Sequence, residues 1–317
     1  MWRKKLKALG PYLLFLAVLI ALGAYLRPRL GDFQASLRVA HQLDWRFLFL
    51  AATAQTISCL ADADILTSIV GLSPRRLSLW RAAIIETAAS TFCLVAGGVA
   101  GYTAAVFYWT RKSGVPARVA AVAGLLLTFF DGAAVVLVGV ISAVLLLSTG
   151  KFHVRAFLPT LVIACIVGAA LVIAVFILRR SRFASYCTVE QWRDSIARLG
   201  NGAWKRPAIA AALNIGFDIA TLALIFTAAG VRLNLLTLLA GYGIPLLVGQ
   251  ATPVPGGVAI TEVSMCAVYV SLGVQPSATL VSVFSYRLVS FWLPTLIGIP
   301  LMLRLQAVNR RRATASL

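Results

Sequence analysis

The chain is predicted to be an all-α, polytopic integral membrane protein, with about six spanning helices plus two re-entrant, glycine-broken hairpins arranged as an inverted repeat. Three observations carry that prediction. First, 60% of the 317 residues are hydrophobic and 12% charged, with a mean hydropathy of +0.90, and the apolar runs exceed the ~18 residues that signal a spanning helix. Second, the basic residues collect in short loops between those runs, as the positive-inside bias requires. A net charge of +19 would suggest nucleic acid in a soluble protein, but in this layout it marks topology, and no nucleic-acid partner is expected. Third, Gly97 and Gly98 of AGGVAGY recur as Gly256 and Gly257 of PGGVAI, 159 positions on (256 − 97). The same offset carries Gly71 onto Gly230, Gly114 onto Gly273 and Val115 onto Val274. A register without gaps divides the chain into two related halves, each a helix, a broken apolar segment and another helix.

Residues 1–44 read as a first transmembrane helix and a polar loop. The basic start and apolar core resemble a signal peptide, but no small-x-small cleavage site precedes Arg27, Pro28 and Arg29, so a retained helix with a cytoplasmic N-terminus is favoured. Residues 45–150 form the first repeat. Its opening helix, about 45–70, carries Asp62 and Asp64, which lie close to a helix end and are expected to be solvated. Segment 82–110 is broken near Ala96, Gly97, Gly98 and Gly101 and carries Glu86. A single helix closely packed through Gly97 and Gly101 is one reading. Charge favours a hairpin: a full crossing would put Arg111, Lys112, Arg118 and, by parity, the seven basic residues of loop 179–206 outside. A helix near 117–148, with Asp131, closes the repeat.

Residues 151–206 hold a linking helix, about 156–178, and a cytoplasmic loop. Within that loop Thr188 and Gln191 have capping-box spacing, and Val189, Trp192, Ile196 and Leu199 share one helical face up to Gly200. A helix lying on the membrane surface is expected there. Residues 207–317 form the second repeat: a helix at about 207–229 with Asn214 and Asp218, the PGG hairpin at 235–272, and one last helix from about Ser277 to Leu303 kinked at Pro294. Arg304 and Arg310 to Arg312 place the C-terminus in the cytoplasm. The first hairpin then enters from the cytoplasm and the second from outside, within a cytoplasmic (inner) membrane.

The stretch ATPVPGGVAITE is the candidate site. Pro253 and Pro255 each remove a backbone donor, and Gly256 and Gly257 permit positive φ, so no continuous helix passes. A break in a bilayer is tolerated only where the chain is buried in protein or lines a wet cavity. Paired interruptions in two halves point to a transporter's binding site. A half-helix starting after Gly257 would aim free backbone donors at an anionic headgroup, with Arg287 adding a fixed charge. The alternative is that Arg287 and Glu262 neutralise each other as a structural pair. Six of the ten acids, Asp62, Asp64, Glu86, Asp131, Asp218 and Glu262, fall in apolar segments, whereas Arg287 alone of 29 Lys and Arg does so clearly. Asp131 and Asp218, near the middle of their helices, are coupling candidates for a proton relay or else interhelical hydrogen-bonding groups. Cys59, Cys93, Cys165, Cys187 and Cys266 form no CxxC pair, and His41 and His153 are the two histidines. No metal site and no cofactor are expected.

The residues also carry a resemblance. From Asn214 to Leu303, the runs GVRLNLL, TPVPGGVAITE, LGVQPSATL and YRLVSFWLP resemble the C-terminal half of the lysylphosphatidylglycerol synthase transmembrane (flippase-like) family. Its most specific marks are PGG followed at a fixed distance by Glu262, and the pair Tyr286–Arg287 before Phe-Trp-x-Pro. The first half is similar from about residue 43, with departures: Ala96 stands where the family's first broken segment has proline, and Thr103 matches Glu262. The resemblance implies a domain that moves a lipid between leaflets. Without a soluble aminoacyl transferase before Leu317, it implies a stand-alone member of the kind associated with hopanoid or glycolipid pathways.

The expected function is therefore transport of a polar or anionic lipid, with Pro253, Pro255, Gly256, Gly257, Glu262, Tyr286, Arg287, Gly97 and Gly98 as substrate-binding candidates. The alternatives are a membrane subunit partnering lipid-biosynthesis enzymes and an intramembrane lipid-modifying enzyme. The last would need a nucleophile and base or a metal cluster, which the sequence does not display.

Overall fold

The computed structural model describes residues 38–74, 76–96, 98–148, 202–251 and 255–314. The predicted first helix, the linking helix near 156–178 and the surface helix of 188–200 lie outside the described residues, as do Gly97, Pro253, His153, Cys165 and Cys187.

Among the described residues the chain is helical, with no strand. The first half contains α1 (Trp45–Val70), α2 (Leu79–Ala96), α3 (Gly98–Lys112) and α4 (Ala117–Ser148). The second contains α5 (Lys205–Ala228), α6 (Leu235–Ala251), α7 (Ile260–Ser271), α8 (Pro276–Arg287), a π-turn (Leu288–Trp292) and α9 (Leu293–Thr314). Four helical runs are long and apolar enough to cross a membrane: Trp45–Val70, Ala117–Val144, Lys205–Ala228 and Pro276–Ala307. They coincide with the four predicted spans that fall in described residues. Trp45, Trp80 and Trp204 stand exposed at or beside helix starts, where amphipathic rings suit a membrane–water boundary.

The two halves carry their elements in the same order. Each half is a long helix, two shorter helices and a long helical run, and the 159-residue offset takes Ala117, which opens α4, onto Pro276, which opens α8 (276 − 117). Gly114 and Gly273, which follow α3 and α7, both adopt positive φ, 92° and 87°, closing equivalent helix ends with a conformation natural to glycine.

The last helical run departs from the expected kink at Pro294. The irregularity is the π-turn Leu288–Trp292, and Pro294 is the second residue of α9. A proline ring clashes with the carbonyl four residues back, here that of Ser290, and the wider turn surrounds that carbonyl.

The chain divides into two compact units. The first comprises Met1–Ala51, Val136–Val167 and Thr221–Leu288; the second comprises Ala52–Val135, Gly168–Ala220 and Val289–Leu317. In the first unit α6 and α7 pack as a hairpin, with the buried Tyr269 hydroxyl donating to Leu238 O at 3.1 Å. Gly139 of α4 and Gly243 of α6 meet backbone to backbone: a Cβ on Gly243 would lie 2.9 Å from Gly139 N. In the second unit α2 and α3 form the other hairpin. Arg81 Nε donates to Ser113 Oγ at 3.1 Å, joining the start of α2 to the residue after α3, so the chain doubles back between them. A core of Ile65, Leu66, Ile69, Ile85, Val106 and Leu127 holds these helices.

α1 and α5 run antiparallel. In the second unit Arg206 reaches Asp64 at 2.7 Å and Ser58 Oγ donates to Asn214 Oδ1 at 2.7 Å. In the first unit Asp44 N donates to Ala228 O at 3.1 Å. As α5 advances, its partners on α1 recede.

Candidate functional site

The PGG break lies in the first unit. α6 ends at Ala251, a short 3₁₀ turn covers Pro255–Gly257, and α7 begins at Ile260. Gly256 and Gly257 take φ of 66° and 61°, which lets the chain reverse without a Cβ clash. Close approach adds a second demand for glycine: a Cβ on Gly257 would lie 2.7 Å from Thr261 Oγ1 and 3.1 Å from Gly249 Cα. Ala259 also has positive φ, 68°, with ψ −39°, a conformation costly for a residue with a Cβ.

Glu262 sits in the first turn of α7, where the helix dipole favours a negative charge. Arg287, at the end of α8, donates from Nε to Glu262 Oε1 at 2.7 Å and from Nη2 to Gly256 O at 3.2 Å. Both side chains are about 7% exposed. The guanidinium thus holds the acid and the broken turn together. Oε2 of Glu262 has no hydrogen-bond partner among the described residues, and the same holds for Thr279 Oγ1 and Ser282 Oγ on α8. Tyr286, beside Arg287, is buried.

The predicted residues are thus only partly united. Gly256, Glu262 and Arg287 form one contact, with Gly257 in the same turn and Pro255 opening it. Gly98 opens α3 in the first hairpin, which belongs to the other unit.

Asp131 belongs to a different constellation, in the second unit. Asn214 Nδ2 donates to its Oδ1 at 3.4 Å, and the Asp131 carboxyl lies near enough to Asp62 to act on it electrostatically. Glu86, 3% exposed, acts electrostatically on Asp62 and receives a hydrogen bond from the Tyr102 hydroxyl. Asp62 is half-buried, with its Oδ1 shielded from solvent and without a hydrogen-bond partner among the described residues, so the expectation that it is solvated is corrected only in part. Asp64 is 29% exposed and paired with Arg206. Asp218 lies close enough to act on Cys59 of α1, so the two coupling candidates occupy different surroundings. Gln55, Cys59 and Asp62, spaced as one helical face, were the signal in the sequence for a polar stripe on α1.

Comparison with known proteins follows the same lines. Residues 3–298 match the family described as the lysylphosphatidylglycerol synthase TM region. A stretch of 101 residues is 35% identical to the UPF0104 membrane protein PH1989 of Pyrococcus horikoshii, covering 32% of this chain and 29% of that protein. The match thus spans less than a third of the relative's length.

Proposed function

The chain belongs to the lysylphosphatidylglycerol synthase TM region family, and from that premise we propose that it moves a polar or anionic lipid between the leaflets of a cytoplasmic membrane. The observation that carries this reading is the buried contact of Arg287 with Glu262 and Gly256 O beside a broken helix. Charge inside a membrane segment is costly and marks substrate paths. Here Glu262 stands where a headgroup phosphate or carboxylate would stand. A lipid anion competes for the planar guanidinium fork, and loss of the Glu262 contact frees the PGG turn to move. The antiparallel packing of α1 and α5, the equivalent first helices of the two halves, supports an inverted repeat. In that arrangement one hairpin enters from each face, as alternating access requires.

The test is reconstitution of the full chain into vesicles containing fluorescent phosphatidylglycerol, with leaflet exchange read by quenching from outside. Exchange faster than in empty vesicles, and slowed in Arg287→Lys, is the expected result. Equal exchange with and without protein across phosphatidylglycerol, phosphatidylethanolamine and a glycolipid removes the proposal and leaves a structural role in a lipid-biosynthetic assembly.

A further inference from the structure

One end of the second unit gathers basic side chains from separate helices. The hairpin brings the start of α2 beside the end of α3, and α4 begins after a short turn. Arg81, in the first turn of α2, donates from Nε to Ser113 Oγ at 3.1 Å, and Ser113 Oγ donates to Trp109 O at 2.9 Å. Around this half-buried arginine stand Arg76, Arg111, Lys112 and Arg118, all exposed. α1 ends and α5 begins here too, since Arg206 reaches Asp64 in the last two turns of α1. Among the described residues no carboxylate pairs with Arg76, Arg81, Arg111, Lys112 or Arg118, and Asp64 is already bound.

Two observations separate this surface from a simple topology signal. The positive-inside bias asks for basic residues at one membrane face, but not for where on a helix they fall. α2, α4 and α5 all start at this end, and none has an acid in its first turn. Their first turns carry Arg81, Arg118 and the pair Lys205 and Arg206 instead. A cation there adds to the positive end of the helix dipole rather than offsetting it, so the combined field favours an anion from outside the chain. The second observation is depth. Trp80, Trp204 and Tyr108 are 75%, 50% and 46% exposed, and Lys112 Nζ lies 5.9 Å from the Tyr108 ring centre. Exposed amphipathic rings mark the headgroup layer of a bilayer. The basic groups beside them therefore stand at the level of lipid phosphates, not out in bulk water where a nucleic acid or a soluble acidic protein would meet them.

We propose that this end of the second unit is a docking surface for anionic phospholipid headgroups of the adjoining leaflet, with Arg81, Arg111, Lys112 and Arg118 around the phosphate. Arg81 is the fixed element: Ser113 takes one of its donors and orients the guanidinium, leaving the others for phosphate oxygens. The exposed side chains add charge without fixed geometry, the usual way in which basic clusters at membrane helix ends hold anionic lipid. The surface is distinct from the Arg287 contact, which belongs to the first unit, and its existence does not rest on the lipid-transport reading.

The experiment embeds the full chain in phosphatidylcholine nanodiscs doped with a spin-labelled lipid, either phosphatidylglycerol or phosphatidylcholine. Electron paramagnetic resonance then reads the fraction of label immobilised against the protein. Wild type is expected to immobilise more phosphatidylglycerol than phosphatidylcholine, with the excess shrinking as salt rises. The triple variant Arg111→Gln, Lys112→Gln, Arg118→Gln, confined to exposed positions, should lose most of the excess. Arg81→Gln should lose part of it, and Arg232→Gln, in the first unit, none. Equal immobilisation of the two lipids by wild type overturns the proposal whether or not the variants fold. So does an undiminished excess in a monodisperse triple variant. Loss of the excess to inorganic phosphate, at an ionic strength where chloride leaves it in place, would make this a site for free phosphate and overturn the lipid assignment. The measurement involves no leaflet exchange, so a chain that shows the excess but moves no lipid refutes the transport reading and leaves the docking surface standing.

Discussion

Arg287 donates from Nε to Glu262 Oε1 at 2.7 Å across 25 residues of sequence, with both side chains almost wholly buried. A buried pair of this kind is a poor source of net stability, because desolvation offsets most of the attraction, but removing one partner strands a charge. Arg287→Ala should therefore destabilise by roughly 3–5 kcal/mol, and the Arg287→Ala, Glu262→Ala double variant should recover most of that loss. Arg287→Lys keeps the charge and loses the planar fork, so lipid binding should fall while Tm moves little. Thermal unfolding in detergent, with binding of fluorescent phosphatidylglycerol, separates the two effects. Recovery of both stability and lipid binding in the double variant would show that neither residue touches the substrate.

Ala259 carries the one positive φ found at a non-glycine residue among the described residues. Ala259→Gly relieves a strain of about 1–2 kcal/mol and gives back part of it as unfolded-chain entropy. A rise in Tm is expected, and an unchanged or lower Tm would show that the turn is not strained.

Gly298 lets α9 lie directly on α2, where Thr91 Oγ1 donates to Thr295 O at 3.1 Å. A Cβ at Gly298 would come within 1.9 Å of Thr91 Oγ1 and 2.5 Å of Thr87 O. Gly298→Val should cost about 1–3 kcal/mol by overpacking. Gly216, inside α5, has nothing within 4 Å of its Cβ position, so Gly216→Ala should stabilise by up to about 1 kcal/mol through helix propensity. Thermal unfolding of the two variants should move in opposite directions.

In a cysteine-free background, Lys112→Cys and Gly273→Cys mark the equivalent ends of the two hairpins. The inverted arrangement predicts that position 112 reacts with a membrane-impermeant thiol reagent only from the cytoplasm and position 273 only from outside. Reaction of both from one side removes the inversion.

The helices were legible in the sequence because their signals are local. Hydropathy marks the spans at Trp45–Val70 and Ala117–Val144 whatever packs against them, and Gly97 and the PGG run punctuate the chain wherever they occur. Arg287 and Glu262 stood out for a related reason: a charge in an apolar segment is costly in any fold. The position of the last kink was not legible, because Pro294 announces a defect but not how the turn before it absorbs the ring, and the π-turn Leu288–Trp292 is that answer.

By itself, then, the sequence determined an all-helical membrane chain, with the break at Gly256 and the buried pair of Arg287 and Glu262 as its chemistry. Only the tertiary structure decided which groups meet. Asp62 looks solvated when judged by its distance from Val70 along α1, yet Asp131, 69 residues later (131 − 62), and Glu86 converge on it. Nothing local encodes that meeting, since it depends on how α1, α2 and α4 pack. The same packing leaves Asp64, two residues from Asp62 and on another face of the helix, paired with Arg206 and partly exposed. Periodicity assigns a side chain to a face of its helix, but only the neighbouring helices decide whether that face meets lipid, water or another carboxyl group.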